Sequence, residues 1–197
     1  GVWARVLDRA AQFQLSTNCR NTRNITLAVS AIAGVEPVRS IRLSGPEVKV
    51  NFVSNAEQER RLVSKAVNRL LRENIEPEDI VILGHKRLEN SRLAKGLINI
   101  PYELVDMDAV TEGPILRYST VKAFKGLESD VVLMTGIDDF ISADRLLELY
   151  VGLSRARVYL ELFVDESAKG GYEQRYREFG ERLARMDAEA LAALLGA

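Results

Sequence analysis

The sequence is poor in the residues that bind metals or cross-link a chain. It holds one cysteine, Cys19, and one histidine, His85. A lone cysteine excludes an internal disulfide and fits a reducing compartment. One residue of each kind excludes a Cys/His zinc cluster, so no metal site is expected. His85 sits in Gly84-His85-Lys86-Arg87 just after an apolar run. That is no nucleophile-elbow context, and the expectation is an exposed loop histidine. No G-x-x-x-x-G-K-[ST] occurs, which excludes a phosphate-binding loop of that type. G-x-G-x-x-G is also missing, which argues against a dinucleotide-binding half. No apolar run reaches membrane length and no leader peptide is visible, so the expected location is cytoplasmic, with no membrane partner.

Charge of one sign is likewise scarce. The 27 basic and 28 acidic residues leave a formal net charge of −1 over 197 residues. A domain so balanced has no strong overall field for nucleic acid. Any such contact must be a local groove. Hydrophobic residues make up 47% of the chain, enough for a substantial core.

Five β-branched runs are present: 48–53 (VKVNFV), 80–83 (IVIL), 115–121 (ILRYSTV), 131–137 (VVLMTGI) and 158–164 (VYLELFV). Most are near-continuous rather than alternating, as in strands buried on both faces. Helical spacing separates them. Residues 56–72 put Leu62, Val63, Ala66, Val67, Leu70 and Leu71 on one face, and Ser54 with Glu57 reads as a capping box. Residues 25–33, 90–98 and 143–156 also read as helices. Strands alternating with helices imply an α/β fold with a mostly parallel sheet, helices on both faces and right-handed crossovers. Turn-rich joints fall at Ser44-Gly45-Pro46 and Lys169-Gly170-Gly171. After the second, Tyr172, Tyr176, Phe179, Leu183, Met186 and Ala190 form a narrow apolar seam. It predicts one long amphipathic C-terminal helix over 171–197, packed on the main unit of 1–170 or extending from it.

Three polar segments carry candidate chemistry. Residues 15–24 (LSTNCRNTRN) place arginines just before a helix, where free N–H groups also favour an anion. Residues 119–130 (STVKAFKGLESD) leave a strand with two lysines, a glycine and a glutamate in a short turn. Gly126 permits close backbone approach, and Glu128 can accept from ribose hydroxyls. Thr120 and Lys122 can meet a DNA phosphate. Residues 148–157 (ELYVGLSRAR) end an apolar helix in Arg155, at an edge from which a guanidinium can reach a transferring phosphoryl group.

In this order the three segments resemble the C-terminal motifs of UvrD/Rep-like superfamily I DNA helicases. LSTNCRNTRNI is similar to motif IV, with Asn18-Cys19-Arg20 where the family has Asn-Tyr-Arg. TVKAFKGLESDVVL is similar to motif V, T-x-H-x-x-K-G-L-E-x-D-x-V. YVGLSRAR is similar to motif VI, Y-V-A/G-x-[ST]-R-A. The resemblance runs from about Phe13 to Val164. It implies a RecA-like fold of the P-loop NTPase type, the second motor domain of an ATP-dependent helicase or translocase.

On that resemblance, Arg20 contacts the γ-phosphate and Arg155 is the arginine finger, the two catalytic groups. Gly126 and Glu128 contact the nucleotide's phosphates and ribose, and Thr120 and Lys122 face single-stranded DNA. The implied cofactor is ATP with Mg2+, held mainly by an N-terminal RecA-like partner domain that supplies the phosphate-binding loop. The isolated segment is therefore expected to be inactive. Two departures stand out. Lys122 replaces the family's histidine, with Phe124 at the next position but one, which makes the DNA contact electrostatic. Motifs IV and V are also close in sequence, so the family's large insertion is short or absent, which weakens the case for unwinding more than that for ATP hydrolysis. Two other readings stand beside this one. One is a degenerate RecA-like protein-interaction module. The other is a self-sufficient α/β enzyme, which would need a glycine-rich loop where Ser54-Asn55-Ala56-Glu57 stands.

Overall fold

β-Branched runs bounded by turn residues form strands because their side chains pack well on a pleated, buried surface. In the computed structural model, which describes residues 17–195, six strands form one sheet. They are β3 (Lys49–Val53), β4 (Ile80–Gly84), β5 (Glu103–Asp106), β6 (Ile115–Thr120), β7 (Ser129–Ile137) and β8 (Ala156–Asp165). Their spatial order is β3-β8-β7-β4-β6-β5 and every pairing is parallel. A small parallel pair, β1 (Thr17–Asn18) and β2 (Arg39–Ser40), stands apart from it. The start of the first polar segment, Leu15 and Ser16, lies outside the described residues, as does the segment before it.

Strand alternation divides the core into two layers. Val81 and Leu83 of β4 and Val132 and Met134 of β7 point to one face. They meet α1 (Arg23–Ala33) through Ile25, Val29 and Ile32, and α3 (Ala143–Leu153) through Leu149 and Leu153. Ile80, Ile82, Val131 and Leu133 point to the other face. There α2 (Ala56–Arg72) covers them with Val63, Ala66, Val67 and Leu70. Each such fully buried side chain contributes roughly 1.5–3 kcal/mol of transfer free energy. The parallel sheet with helices on both faces is the architecture that the sequence pattern implies.

Several local expectations are corrected. The cap of α2 is not Ser54 with Glu57. Asn55 accepts from Gln58 N at 2.9 Å, while Gln58 Oε1 accepts from Ser54 N. Residues 90–98 are not a helix. Arg60 of α2 donates to the carbonyls of Lys95 and Gly96, and Ser64 Oγ accepts from Ile98 N. Tertiary bonds thus replace the helical ladder there. α3 ends at Leu153, short of the expected Ala156, because β8 begins there.

The C-terminal seam also breaks in two, α4 (Lys169–Leu183) and α5 (Ala188–Leu195). Asp187 Oδ1 accepts from Ala190 N at 2.7 Å and starts the second helix as its N-cap. Tyr172 and Tyr176 pack on the layer of α1 and α3, and Phe179 is buried. Tyr172 sits edge-on to Phe52 and Phe140, both at 5.7 Å between centroids. No helix among the described residues is long and apolar enough to cross a membrane.

Candidate functional site

A parallel sheet has two unlike edges, one where all strands begin and one where all end. At the starting edge, β7 and β8 run in the register Ser129↔Ala156. Residues two apart share a side of a strand, so Glu128 and Asp130 lie beside Arg155 and Arg157. The segment carrying Arg20 packs laterally on the same place. Thr22 N donates to Arg157 O at 3.2 Å, and Asn21 Nδ2 donates to Ser154 O and Ala156 O at 3.0 and 2.6 Å.

The charged side chains meet there. Arg20 Nε stands 3.0 Å from Glu128 Oε2. Arg157 Nε lies 3.7 Å from Glu128 Oε1 and 3.3 Å from Asp130 Oδ1. Among the described residues, Arg155 has no carboxylate of its own. Its Nε donates to Val151 O at 3.0 Å, and its two terminal nitrogens reach Leu127 O and Ser154 Oγ. Burial, and then the neighbouring Arg20, pull the Arg155 guanidinium below its ordinary pKa. A cation destabilised by desolvation and by a like charge is a receptive partner for an incoming anion. Glu128 and Arg20 are both close to half exposed, so ligand-sized groups can reach them.

The structure thus brings Arg20, Glu128 and Arg155 together. Gly126 sits in the same loop at φ 91°, a left-handed conformation that a side chain strains, and the space around it is open. One mechanistic expectation is corrected. The first free N–H groups of α1 are not available to an anion, because Arg23 N and Asn24 N donate to Leu43 O and Ser44 O. The Ser44-Gly45-Pro46 joint folds back to cap that helix. The donors left open to an anion here are therefore side chains.

Thr120 and Lys122 lie at the opposite, finishing edge. Thr120 ends β6, and its hydroxyl oxygen accepts from Ala123 N at 3.1 Å, holding the turn. Lys122 is exposed and lines an open groove of about 670 Å³ with Lys125 and the outer face of α3, including Arg145, Leu147 and Val151. Residues 121–128 cross from this edge to the other, anchored by buried Val121 and Phe124.

A cavity of about 250 Å³ opens at the same finishing edge, between the ends of β4 and β7. Its floor is Glu59, fully buried in the first turn of α2, which accepts from Gly136 N at 2.7 Å and pairs with Arg92. Burial pushes the Glu59 carboxyl above its usual pKa. Arg92 also pairs with Asp165 at the end of β8. His85 lines this cavity and is mostly buried, not an exposed loop residue. Its Nε2 is 3.8 Å from Asp138 Oδ2, and burial lowers its pKa. No group of His, Cys, Asp or Glu that could hold a metal occurs among the described residues.

Sequence reasoning gave no role to Asn21, Arg157, Asp130 or Glu59. Arg157 and Asp130 were legible by spacing, since each follows a candidate residue by two in an extended segment. Asn21 and Glu59 carry no local signal, because their partners are remote in sequence.

No protein-family model matches the chain, and no curated protein matches it. Among solved structures, it resembles the C-terminal domain of a possible DNA helicase from Lactobacillus plantarum WCFS1. The TM-score is 0.62 at 20% identity, over 82% of this chain and 96% of that one. This likeness establishes a shared fold, the α/β architecture that the motif resemblance implies. The PRRSV helicase also aligns at 18% identity, over 81% of this chain and 25% of that chain. Its TM-score of 0.37 carries no argument.

Proposed function

We propose that the chain is the C-terminal motor domain of an ATP-dependent DNA helicase or translocase. The observation that carries this reading is the meeting of Arg20, Glu128 and Arg155 at the starting edge of β7 and β8. Three polymer segments far apart in sequence contribute to one charged shelf that is open to solvent. Its chemistry, Glu128 paired with Arg20 and Arg157 beside the carboxylate-free Arg155, suits a nucleoside triphosphate: cations for phosphate oxygens and an acceptor for ribose hydroxyls.

In this reading the triphosphate and its Mg2+ are held chiefly by a partner RecA-like domain. Arg155 leaves its bonds to Val151 O and Leu127 O and turns toward the transferring phosphoryl group, where it neutralises developing charge. Arg20 leaves Glu128 for the γ-phosphate, and Glu128 is freed to accept from the ribose. Gly126 lets the backbone approach the phosphates. At the opposite edge Lys122, beside Thr120, meets the phosphates of single-stranded DNA. Closing and opening of the two domains around the nucleotide then moves the DNA-facing edges relative to each other.

The test compares the full-length protein with this segment alone. The segment is expected to turn over no ATP. In the full-length protein, Arg155→Ala is expected to lower kcat roughly a thousandfold while nucleotide affinity survives. Fast hydrolysis by the isolated segment, or normal turnover by the variant, overturns the proposal. A full-length protein that binds partners but no nucleotide supports a protein-interaction module instead.

A further inference from the structure

Arg20 and Arg155 lie on segments that share no covalent neighbour, so something must fix their separation. Asn21 is placed to do so. It is only 3% exposed, and its carboxamide nitrogen donates to Ser154 O and Ala156 O, the carbonyls immediately before and after Arg155. Its carboxamide oxygen accepts from Asn18 Nδ2 at 2.8 Å, which sets the orientation of the amide. Asn18 Oδ1 in turn accepts from the backbone N–H groups of Arg20 and Asn21, at 2.9 and 3.0 Å. The Asn21 carbonyl accepts from the buried Ser40 hydroxyl at 2.9 Å, tying the loop to β2. Every polar atom of the Asn21 side chain is therefore used, and its two donor bonds straddle Arg155.

We infer that Asn21 is a positioning residue for phosphoryl transfer, holding Arg155 in register with Arg20. The inference rests on the functional reading above and concerns the same site. Asn21 touches no nucleotide itself. It acts by denying Ser154–Ala156 the freedom to slide against Asn18–Arg20. A shift of about an ångström in a charged group can cost two orders of magnitude in rate. The binding contacts of the nucleotide are not altered, so the effect belongs to kcat rather than KM.

The isosteric change Asn21→Asp is the sharpest probe, because it replaces two donors with an acceptor facing two carbonyls. In the full-length protein it is expected to lower kcat for ATP at least about tenfold, with KM changed by less than about threefold. In an Arg155→Ala background the same change is expected to cost less than about twofold, because the group it positions is gone. Equal losses in both backgrounds indicate general damage to the fold and overturn the inference, as does unchanged kcat. Asn18→Asp covers the case in which Asn21→Asp fails to fold. It keeps the acceptor for both backbone N–H groups and replaces the donor that orients Asn21 with an oxygen that repels the Asn21 carboxamide oxygen. It is expected to lower kcat about threefold, and wild-type turnover there overturns the inference. A full-length wild type that turns over no nucleotide overturns the functional reading and this inference together. Normal turnover in wild type with no effect in either asparagine variant overturns only the inference.

Discussion

Arg20 and Glu128 form a direct ion pair across the starting edge of the sheet, 3.0 Å from Nε to Oε2, with both side chains close to half exposed. An exposed pair of this kind stabilises a fold by less than about 1 kcal/mol. Glu128→Gln is therefore expected to move Tm by no more than about 4 °C. In the full-length protein it is expected to raise KM for ATP several-fold through loss of the proposed ribose acceptor. Thermal unfolding and steady-state kinetics on the same preparation check both halves. A large drop in Tm with unchanged KM would make the pair a structural element only.

Lys122 is exposed on the rim of the groove beside α3. With no histidine at that position, the contact to DNA that the proposed function assigns to Lys122 is a point charge. Lys122→Ala is expected to weaken single-stranded DNA binding by the full-length protein equally for all sequences. It is also expected to reduce the slope of log affinity against log salt by about 1. A salt titration of binding measures this, and an unchanged slope removes Lys122 from the DNA path.

Asp165 gives the fold an acid-sensitive joint. Its carboxyl is held down to about 2, by the Ser167 hydroxyl first and, against the cost of burial, by Arg92. The folded value lies below the ordinary one of 3.8, so the stabilisation is present above about pH 4 and is lost as pH falls toward 2. Denaturant titrations between pH 5 and pH 2.5 are expected to show this loss in the wild type and a flatter profile in Asp165→Asn. Parallel profiles would assign the acid sensitivity elsewhere.

Gly84 ends β4 against Tyr118. A Cβ placed there overlaps the Tyr118 hydroxyl, which is buried and donates to Lys86 O at 2.7 Å. Gly84→Ala must displace that ring or break its bond. The expected destabilisation is about 1–3 kcal/mol, read as a lower Tm and denaturation midpoint. The double variant Gly84→Ala with Tyr118→Phe, which removes the clashing oxygen, is expected to recover part of it.

The elements that were legible in the sequence are those whose signal is local. Val63, Ala66, Val67 and Leu70 repeat at helical spacing and are the buried face of α2. The run Ile80–Leu83 is apolar throughout, and β4 is buried at every position. β5 escaped because Leu104 and Val105 alone set no pattern, and its partner β6 supplies the rest. The residues 90–98 read as helical because their composition is permissive, but Arg60 and Ser64 claim their backbone groups. At the shelf, Arg20, Glu128 and Arg155 stood out by residue type beside a turn or helix end. Asn21 did not, since its significance lies in two carbonyls contributed by a strand far along the chain.

The crossover from β6 to β7 is short. Residues 121–128 carry the chain from the finishing edge to the starting edge of the sheet, past the intervening β4. The segment is folded into turns, Phe124 N donating to Thr120 O at 2.9 Å and Leu127 N to Phe124 O at 3.1 Å, and buried Val121 and Phe124 fix it to the core. It is one core-anchored segment with Lys122 near one end and Glu128 at the other. Lengthening it by a few glycines is expected to leave both ends chemically intact while freeing each from the other's position, a lesion invisible to any assay that interrogates one end at a time.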